Sequence, residues 1–178
     1  MGGDSLFSAE PGARCVSCHR AAVEAFRKTG MGRSIDERPL PSDGTFYHRA
    51  SNRHYTIAGG VMGRHQLGAD GQAINRIERR ITLGIGSGNH AVTYAHRTEQ
   101  GRLFELPVTW YASLRGYAMS PGYDRADHFD MRREISESCL FCHSNGPQPA
   151  PIDCGRCHGR SEEHTSELQS RGLISYAV

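Results

Sequence analysis

Short segments that contain β-branched and aromatic residues recur along the middle of the chain, from about residue 45 to residue 111, and some of them, such as His54-Tyr55-Thr56-Ile57, alternate between polar and apolar positions. Alternation with a period of two places the apolar side chains on one face of an extended strand. Polar turns such as Ala69-Asp70-Gly71 and Glu99-Gln100-Gly101 separate neighbouring segments. The sequence therefore predicts strands that pair as antiparallel hairpins, at residues 46–48, 54–58, 62–67, 73–83, 91–97 and 103–110.

The segments before and after this β-rich region have helical patterns. Val16, Val23 and Phe26 lie among good helix formers, and Gly30 marks an end, so we expect a helix within residues 12–30. A short polar helix is expected at 131–138, at the start of a final segment that reaches residue 159. The predicted fold class is α+β with little regular secondary structure, in one domain over residues 1–159.

Composition modifies this picture. Hydrophobic residues make up 37% of the chain, below the usual ~45–50%. We therefore expect a thin protein core, with bound cofactors supplying much of the missing apolar surface. The 21 basic and 19 acidic residues give a net charge of +2, which argues against a nucleic-acid binder. No stretch has the apolar length of a transmembrane segment.

All six cysteines belong to three copies of Cys-x-x-Cys-His. This pattern is the attachment signature of c-type haem. Two thiols must reach the two vinyl groups on one porphyrin edge, and the adjacent histidine must bind the iron. The sequence therefore predicts three haem c groups. Their attachment residues are Cys15, Cys18, Cys139, Cys142, Cys154 and Cys157, and the proximal iron ligands are His19, His143 and His158.

Other uses of the cysteines remain open. The second and third pairs are close enough in sequence for a four-thiolate zinc site, but zinc leaves the histidine after every pair unexplained. Three disulfides are also possible in an exported protein, although pairs at this spacing close very small loops. A thioredoxin-like redox pair would require one motif in a βαβ context.

Each haem iron has a second axial position, and histidine or methionine there favours electron transfer over ligand chemistry. The candidate distal ligands are His90, His96, His54, His48 and Met31, with His65 and His128 weaker. His90 ends a glycine-rich loop at 84–90. Glycines there would allow the backbone to approach a haem face closely.

Residues 15–159 resemble multihaem cytochromes c of environmental bacteria, of the kind often fused to tetratricopeptide repeats. The resemblance is carried by the Cys-x-x-Cys-His motifs and by several segments between them. These are Gly86-Ser87-Gly88-Asn89-His90, Tyr94-Ala95-His96-Arg97, Glu105-Leu106-Pro107 with Trp110-Tyr111, and Pro121-Gly122-Tyr123-Asp124. The resemblance implies a haem-organised fold, with short helices that carry the motifs around a central hairpin region. It also implies an exported redox protein.

Residues 160–178 have a different character. The run Arg-Ser-Glu-Glu-His-Thr-Ser-Glu-Leu-Gln-Ser resembles the translation of a common sequencing adapter, and the final Ile-Ser-Tyr-Ala-Val resembles its continuation. We therefore expect this tail to be non-native and the natural chain to continue past residue 159. Such segments are excluded from reasoning about the fold, so His164 is not a candidate ligand.

These patterns favour electron transfer, with other redox proteins as partners, over an enzymatic role. A haem-based reductase of a small nitrogen or sulfur compound is the first alternative, and a haem-bearing sensor module is the second. Because haem is attached to these motifs outside the cytoplasm, we expect a periplasmic or extracellular location. Residues 1–14 contain no signal-peptide pattern, so we expect the export signal to be missing from this sequence.

Overall fold

The described part of the chain consists mainly of antiparallel β-strands. The computed structural model describes residues 12–37, 39, 41–144 and 149–158. Short 3₁₀ turns lie at Met31–Arg33 and Asp130–Arg132. The elements in chain order are α1 (Val16–Arg27), β1 (Ile35–Asp36), β2 (Gly44–His48), β3 (Arg53–Ala58), β4 (Val61–Leu67), β5 (Ala73–Arg80), β6 (Leu83–Ile85), β7 (Ala91–Arg97), β8 (Leu103–Tyr111), β9 (Gly116–Met119), β10 (Arg133–Glu134), α2 (Glu137–His143) and α3 (Gly155–His158).

Four consecutive strands form the smaller sheet, in the order β2-β3-β4-β5. Each strand pairs with the next through a short turn, which is the simplest antiparallel connection. In the β2–β3 turn Asn52 has a φ of 49°, and in the β3–β4 turn Gly59 and Gly60 have φ values of 55° and 75°. Tight turns use such positive φ values, which glycine and asparagine adopt most readily.

The remaining strands form a six-stranded sheet, in the order β1-β6-β7-β8-β10. Strand β9 also pairs with β8, along residues 108–111, whereas β10 pairs with residues 104–105 of the same strand. Strand β7 pairs along one edge of β8. The other edge of β8 is therefore shared by β9 and β10. The long strand β8 therefore organises the centre of this sheet.

The larger core lies between the two sheets. Its side chains come from β3 and β4 of the small sheet and from β7, β8 and β9 of the large sheet, together with the segment after β9. Burial of this much apolar and aromatic surface is the main stabilising contribution to such a layered fold. The buried members are Tyr55, Ile57, Met62, Ile81, Tyr94, Leu106, Val108, Met119, Tyr123 and Met131.

A second core covers the opposite face of the large sheet. Ile35, Leu83, Ala95, Leu103 and Leu140 are buried together there. Adjacent residues of β7 show the alternation, because Tyr94 belongs to the first core and Ala95 to the second. Leu140 lies in α2, so the helix of the second Cys-x-x-Cys-His motif packs on this face.

The predicted fold class is wrong. The described residues form ten strands in two antiparallel sheets, with only three short helices. The segments between residues 44 and 119 satisfy their backbone groups in ladders, so regular secondary structure is extensive. Side chains from both sheets fill the core, which is not thin. Bound cofactors therefore do not organise this fold.

The expected helix at 131–138 is also placed differently. Residues 133–134 form strand β10, which pairs with Glu105 and Phe104 of β8. The N–H of Ile135 then donates to the carbonyl of Leu103, at 2.9 Å. These pairings with β8 satisfy backbone groups that a helix would use internally, so α2 begins only at Glu137.

Helices in the described ranges are all too short or too polar to cross a membrane. The predicted non-native tail at 160–178 and the first eleven residues lie outside the described part of the chain.

Replacement of Leu106 by alanine tests the inter-sheet core. Leu106 is fully buried between the sheets, and such a truncation loses transfer free energy and leaves a cavity. We expect the free energy of unfolding to fall by about 2–5 kcal/mol in urea titrations. Leu114→Ala is the control, because Leu114 is 63% exposed. Equal losses from the two variants would contradict the described core.

Candidate functional site

The first Cys-x-x-Cys-His motif forms a single helical turn at the start of α1. The carbonyl of Cys15 accepts the backbone N–H of Cys18 at 3.2 Å and that of His19 at 2.8 Å. Residues three apart on a helix share a face, so both cysteines lie on one side of the turn. Cys18 and His19 are exposed and Cys15 is half-buried. The helix is kinked at His19, whose φ and ψ are −122° and 37°.

The third motif repeats this turn. The carbonyl of Cys154 accepts the N–H of Cys157 at 3.2 Å and that of His158 at 3.0 Å. Cys157 and His158 are exposed and Cys154 is half-buried. Two motifs separated by more than a hundred residues therefore adopt the same local conformation with the same pattern of exposure.

The second motif lies within α2. The hydroxyl of Ser136 is 3.5 Å from the thiol of Cys139, which is exposed. Hydrogen bonds from the side chain and backbone of Ser136 lower the pKa of Cys139, which favours the reactive thiolate. The side chains of Cys142 and His143 lie outside the described part, so their predicted roles stay predictions.

The first and third motifs lie against each other. The backbone N–H of Gly12 donates to Oδ1 of Asp153 at 2.5 Å, and the N–H of Ile152 donates to Oγ of Ser34 at 3.1 Å. Gly12 also lies against Cys154, because a Cβ added at Gly12 would come within 3.2 Å of the Cys154 sulfur. Burial, followed by the neighbouring Asp153 and Cys15, raises the pKa of Cys154.

The second and third motifs are also in contact. The guanidinium of Arg156 donates to the carbonyl of Phe141 at 2.6 Å and lies 4.0 Å from the centre of its ring. The N–H of Ala150 donates to Oγ of Ser144 at 3.3 Å. The third motif therefore lies in contact with the second motif as well as with the residues beside the first.

The geometry of the first and third motifs fits covalent haem attachment. Each presents two thiols on one face of a turn, followed by an exposed imidazole, as attachment and iron ligation require. Beside them an open cleft of about 470 Å³ lies between the 3₁₀ turn after α1, the glycine-rich loop and Pro151. Its wall combines apolar side chains such as Ile35 and Val92 with Arg33 and with the carboxylates of Asp36 and Glu37, so Arg33 is its one cationic group among the described lining residues. Guanidinium groups bind carboxylates well, and haem propionates are carboxylates.

Among the candidate distal ligands, His96 has the orientation that suits a metal ligand. Its Nδ1 lies 3.0 Å from the carbonyl of Arg80, so Nδ1 carries the proton. A hydrogen bond from the other ring nitrogen to a backbone carbonyl is the usual support of a ligating histidine. Nε2 of His96 is therefore left with its lone pair.

His48 is committed to other partners. Its Nδ1 lies 2.8 Å from Oγ of Ser51, and its Nε2 lies 3.1 Å from Oδ1 of Asp124. The ring is buried between the small sheet and the segment after β9. Coordination of iron by His48 would first require one of these bonds to break.

His54 lies in a row of rings across the small sheet. Its ring stacks on Tyr47 at 4.5 Å and on His65 at 5.2 Å between centroids. No hydrogen bond to either ring nitrogen of His54 is present within the described part. His90 and Met31 are both exposed, near the cleft. The structure therefore does not bring the five candidates together at one place.

A buried polar cluster was not predicted as a unit. Nε of Arg64 donates to Oδ2 of Asp130 at 2.8 Å. The N–H of Asp130 donates to Nδ1 of His128 at 3.0 Å, and the hydroxyl of Tyr55 is 3.2 Å from Nε2 of that ring. Burial, followed by Arg53, lowers the pKa of His128 to about 4.

No group of three or more histidine, cysteine or carboxylate side chains suited to a metal ion occurs among the described residues. No family model, curated protein or solved structure matches the chain.

The neutral form of His128 contributes to stability in a definite pH window. Its pKa is about 4 in the fold and about 6.5 when unfolded, so the unfolded chain binds more protons between these values. Stability is therefore complete above pH 6.5 and falls as the pH drops toward 4. We expect a loss of about 2 kcal/mol from His128 between pH 7 and pH 4.5, measured by urea unfolding.

His128→Gln serves as the comparison for this titration, because glutamine has no proton to gain in this range. The unfolding free energy of the variant should depend less steeply on pH in the same window. Parallel pH profiles for the two proteins would show that His128 is not held neutral by the fold.

Proposed function

We propose that this protein carries three covalently attached c-type haems and transfers electrons. The observation that supports this most directly is the shared turn of the first and third motifs. In both, the carbonyl of the first cysteine accepts the N–H groups of the second cysteine and of the histidine. That turn places both thiols on one face with the imidazole directly after them, and a zinc site or a disulfide framework does not account for a histidine after every cysteine pair.

Each part of the chain has a defined task in this proposal. The thiols of Cys15, Cys18, Cys154 and Cys157 hold two of the groups, and His19 and His158 are placed to bind iron. Arg33 lines the cleft where propionates would need a counter-charge. When bound, haem supplies one-electron redox chemistry, with electrons delivered by a reduced carrier protein and removed by an oxidised one.

Contact between the motifs supports electron transfer over isolated binding sites. Gly12 is hydrogen-bonded to Asp153, and Arg156 to Phe141, so the three attachment sites lie close together. Short separations are what electron exchange between cofactors requires. The resemblance to exported multihaem cytochromes c agrees with this function. As part of the same proposal, we infer a periplasmic or extracellular location with other redox proteins as partners.

The cofactor content is tested by expression in a host that matures c-type cytochromes. We expect three haems per chain by pyridine haemochrome assay, with an intact mass increased by three covalent groups. Cys15→Ala/Cys18→Ala should retain two. A colourless protein that contains zinc or cystine bridges would contradict the proposal.

Replacement of His96 by alanine tests its role as a distal ligand. We expect one haem in three to become high-spin, because the Nε2 lone pair that completes six-coordination is lost. Optical and EPR spectra of the ferric protein measure this change. Gln100→Ala, in the exposed turn that follows β7, is the control, and it should leave all haems low-spin. A fully low-spin His96→Ala protein would remove His96 from the candidates.

A further inference from the structure

The three motifs touch in an order that differs from their order in the sequence. The third motif contacts the first motif's flank at Gly12 through Cys154 and Asp153, and contacts the second through Arg156. The hydrogen bond between Gly12 and Asp153 joins residues 141 positions apart. Asp153 therefore lies next to the residues that immediately precede α1.

Short α3 accounts for this arrangement. It begins beside Cys154, whose sulfur lies against Gly12, and two residues later Arg156 packs on Phe141 of α2. Residues two apart on a helix point in different directions. One turn of helix thus presents one side to the first motif and another side to the second.

The anchoring of the neighbouring elements keeps this order fixed. α2 is held on the large sheet by Leu140, which is buried in the second core. The 3₁₀ turn after α1 is held at the edge of that sheet, where the N–H of Gly86 donates to the carbonyl of Ser34 at 2.7 Å. The hydroxyl of Ser34 also accepts the N–H of Ile152. The residues just before the third motif are therefore bound to the 3₁₀ turn that follows α1.

We propose that the third motif is the middle attachment site, so that the cofactors are arranged in the order first, third, second. This inference rests on the proposed function, because it concerns the same three sites. It assigns the first and second motifs to the two ends of the series. Carrier proteins that deliver and remove electrons would then approach at α1 and at α2, rather than at α3.

Pairwise removal of attachment sites tests this order in the matured protein. Three variants each lack one cysteine pair: Cys15→Ala/Cys18→Ala, Cys139→Ala/Cys142→Ala and Cys154→Ala/Cys157→Ala. Circular dichroism in the Soret band measures exciton coupling between the two haems that remain. This coupling falls with the cube of their separation, so it reports proximity without any assay of electron transfer.

The order predicts a specific outcome. The variants that lose the first or the second pair retain one contacting pair of sites, and each should show a bisignate Soret signal. The variant that lacks the third pair retains only the two ends, and its signal should be several-fold weaker. A signal of equal strength in the third variant would overturn the proposed order.

Single substitutions provide a second measurement in proteins that keep the large sheet intact. Asp153→Ala, made in the variant without the second pair, should weaken the signal because the Gly12 contact is lost. Arg156→Ala in the same background should leave that signal unchanged, and should instead weaken the signal of the variant without the first pair. The opposite pattern would also overturn the order.

The result separates this inference from the function on which it rests. Fewer than three haems in the parent protein, or a peptide in which Cys15 and Cys154 are joined as cystine, contradicts the proposed function. Three haems with strong coupling between the first and second sites contradicts the order alone.

Discussion

Burial of the large sheet on both faces is the constraint on which the rest of the structure depends. One face packs against the small sheet through residues such as Tyr94 and Leu106, and the other covers Leu83 and Ala95. An antiparallel sheet usually leaves one face to solvent. In this sheet the second face also carries apolar residues, so other parts of the chain have to cover it. Leu140 supplies part of that cover, and it brings the second motif with it. The position of the candidate site thus follows from how the sheet is buried.

Strand positions could be predicted from the sequence, whereas their assembly into two sheets could not. Alternation is local, and strands β3 and β7 coincide with segments where it was recognised. The packing of Met62 against the same core as Val108 is not local, because both are simply apolar residues on separate hairpins. The low hydrophobic fraction was misleading for a related reason. Tyr55 and Tyr123 are fully buried, and their large rings fill more space per residue than a count of hydrophobic residues conveys.

For the candidate site too, some residues could be recognised from the local sequence, whereas others depend on the tertiary structure. Attachment chemistry acts within five consecutive residues, so the motif around Cys15 could be recognised from spacing alone. A distal ligand depends on what the other ring nitrogen contacts in the folded chain. His48 and His96 look equivalent in the sequence. The structure separates them, because His48 bonds through both nitrogens and His96 through one.

A core made of protein side chains also changes what the cofactors have to do. If cofactors filled the centre, as composition suggested, their potentials would be governed by burial within it. Among the described motif cysteines, Cys18, Cys139 and Cys157 are exposed, and the sheets are packed without them. Under the proposed function, solvent access and nearby charges such as Arg33 and Arg156 would then be the main influences on the haem potentials. The sheets form the support, and the helices beside them carry the proposed attachment sites.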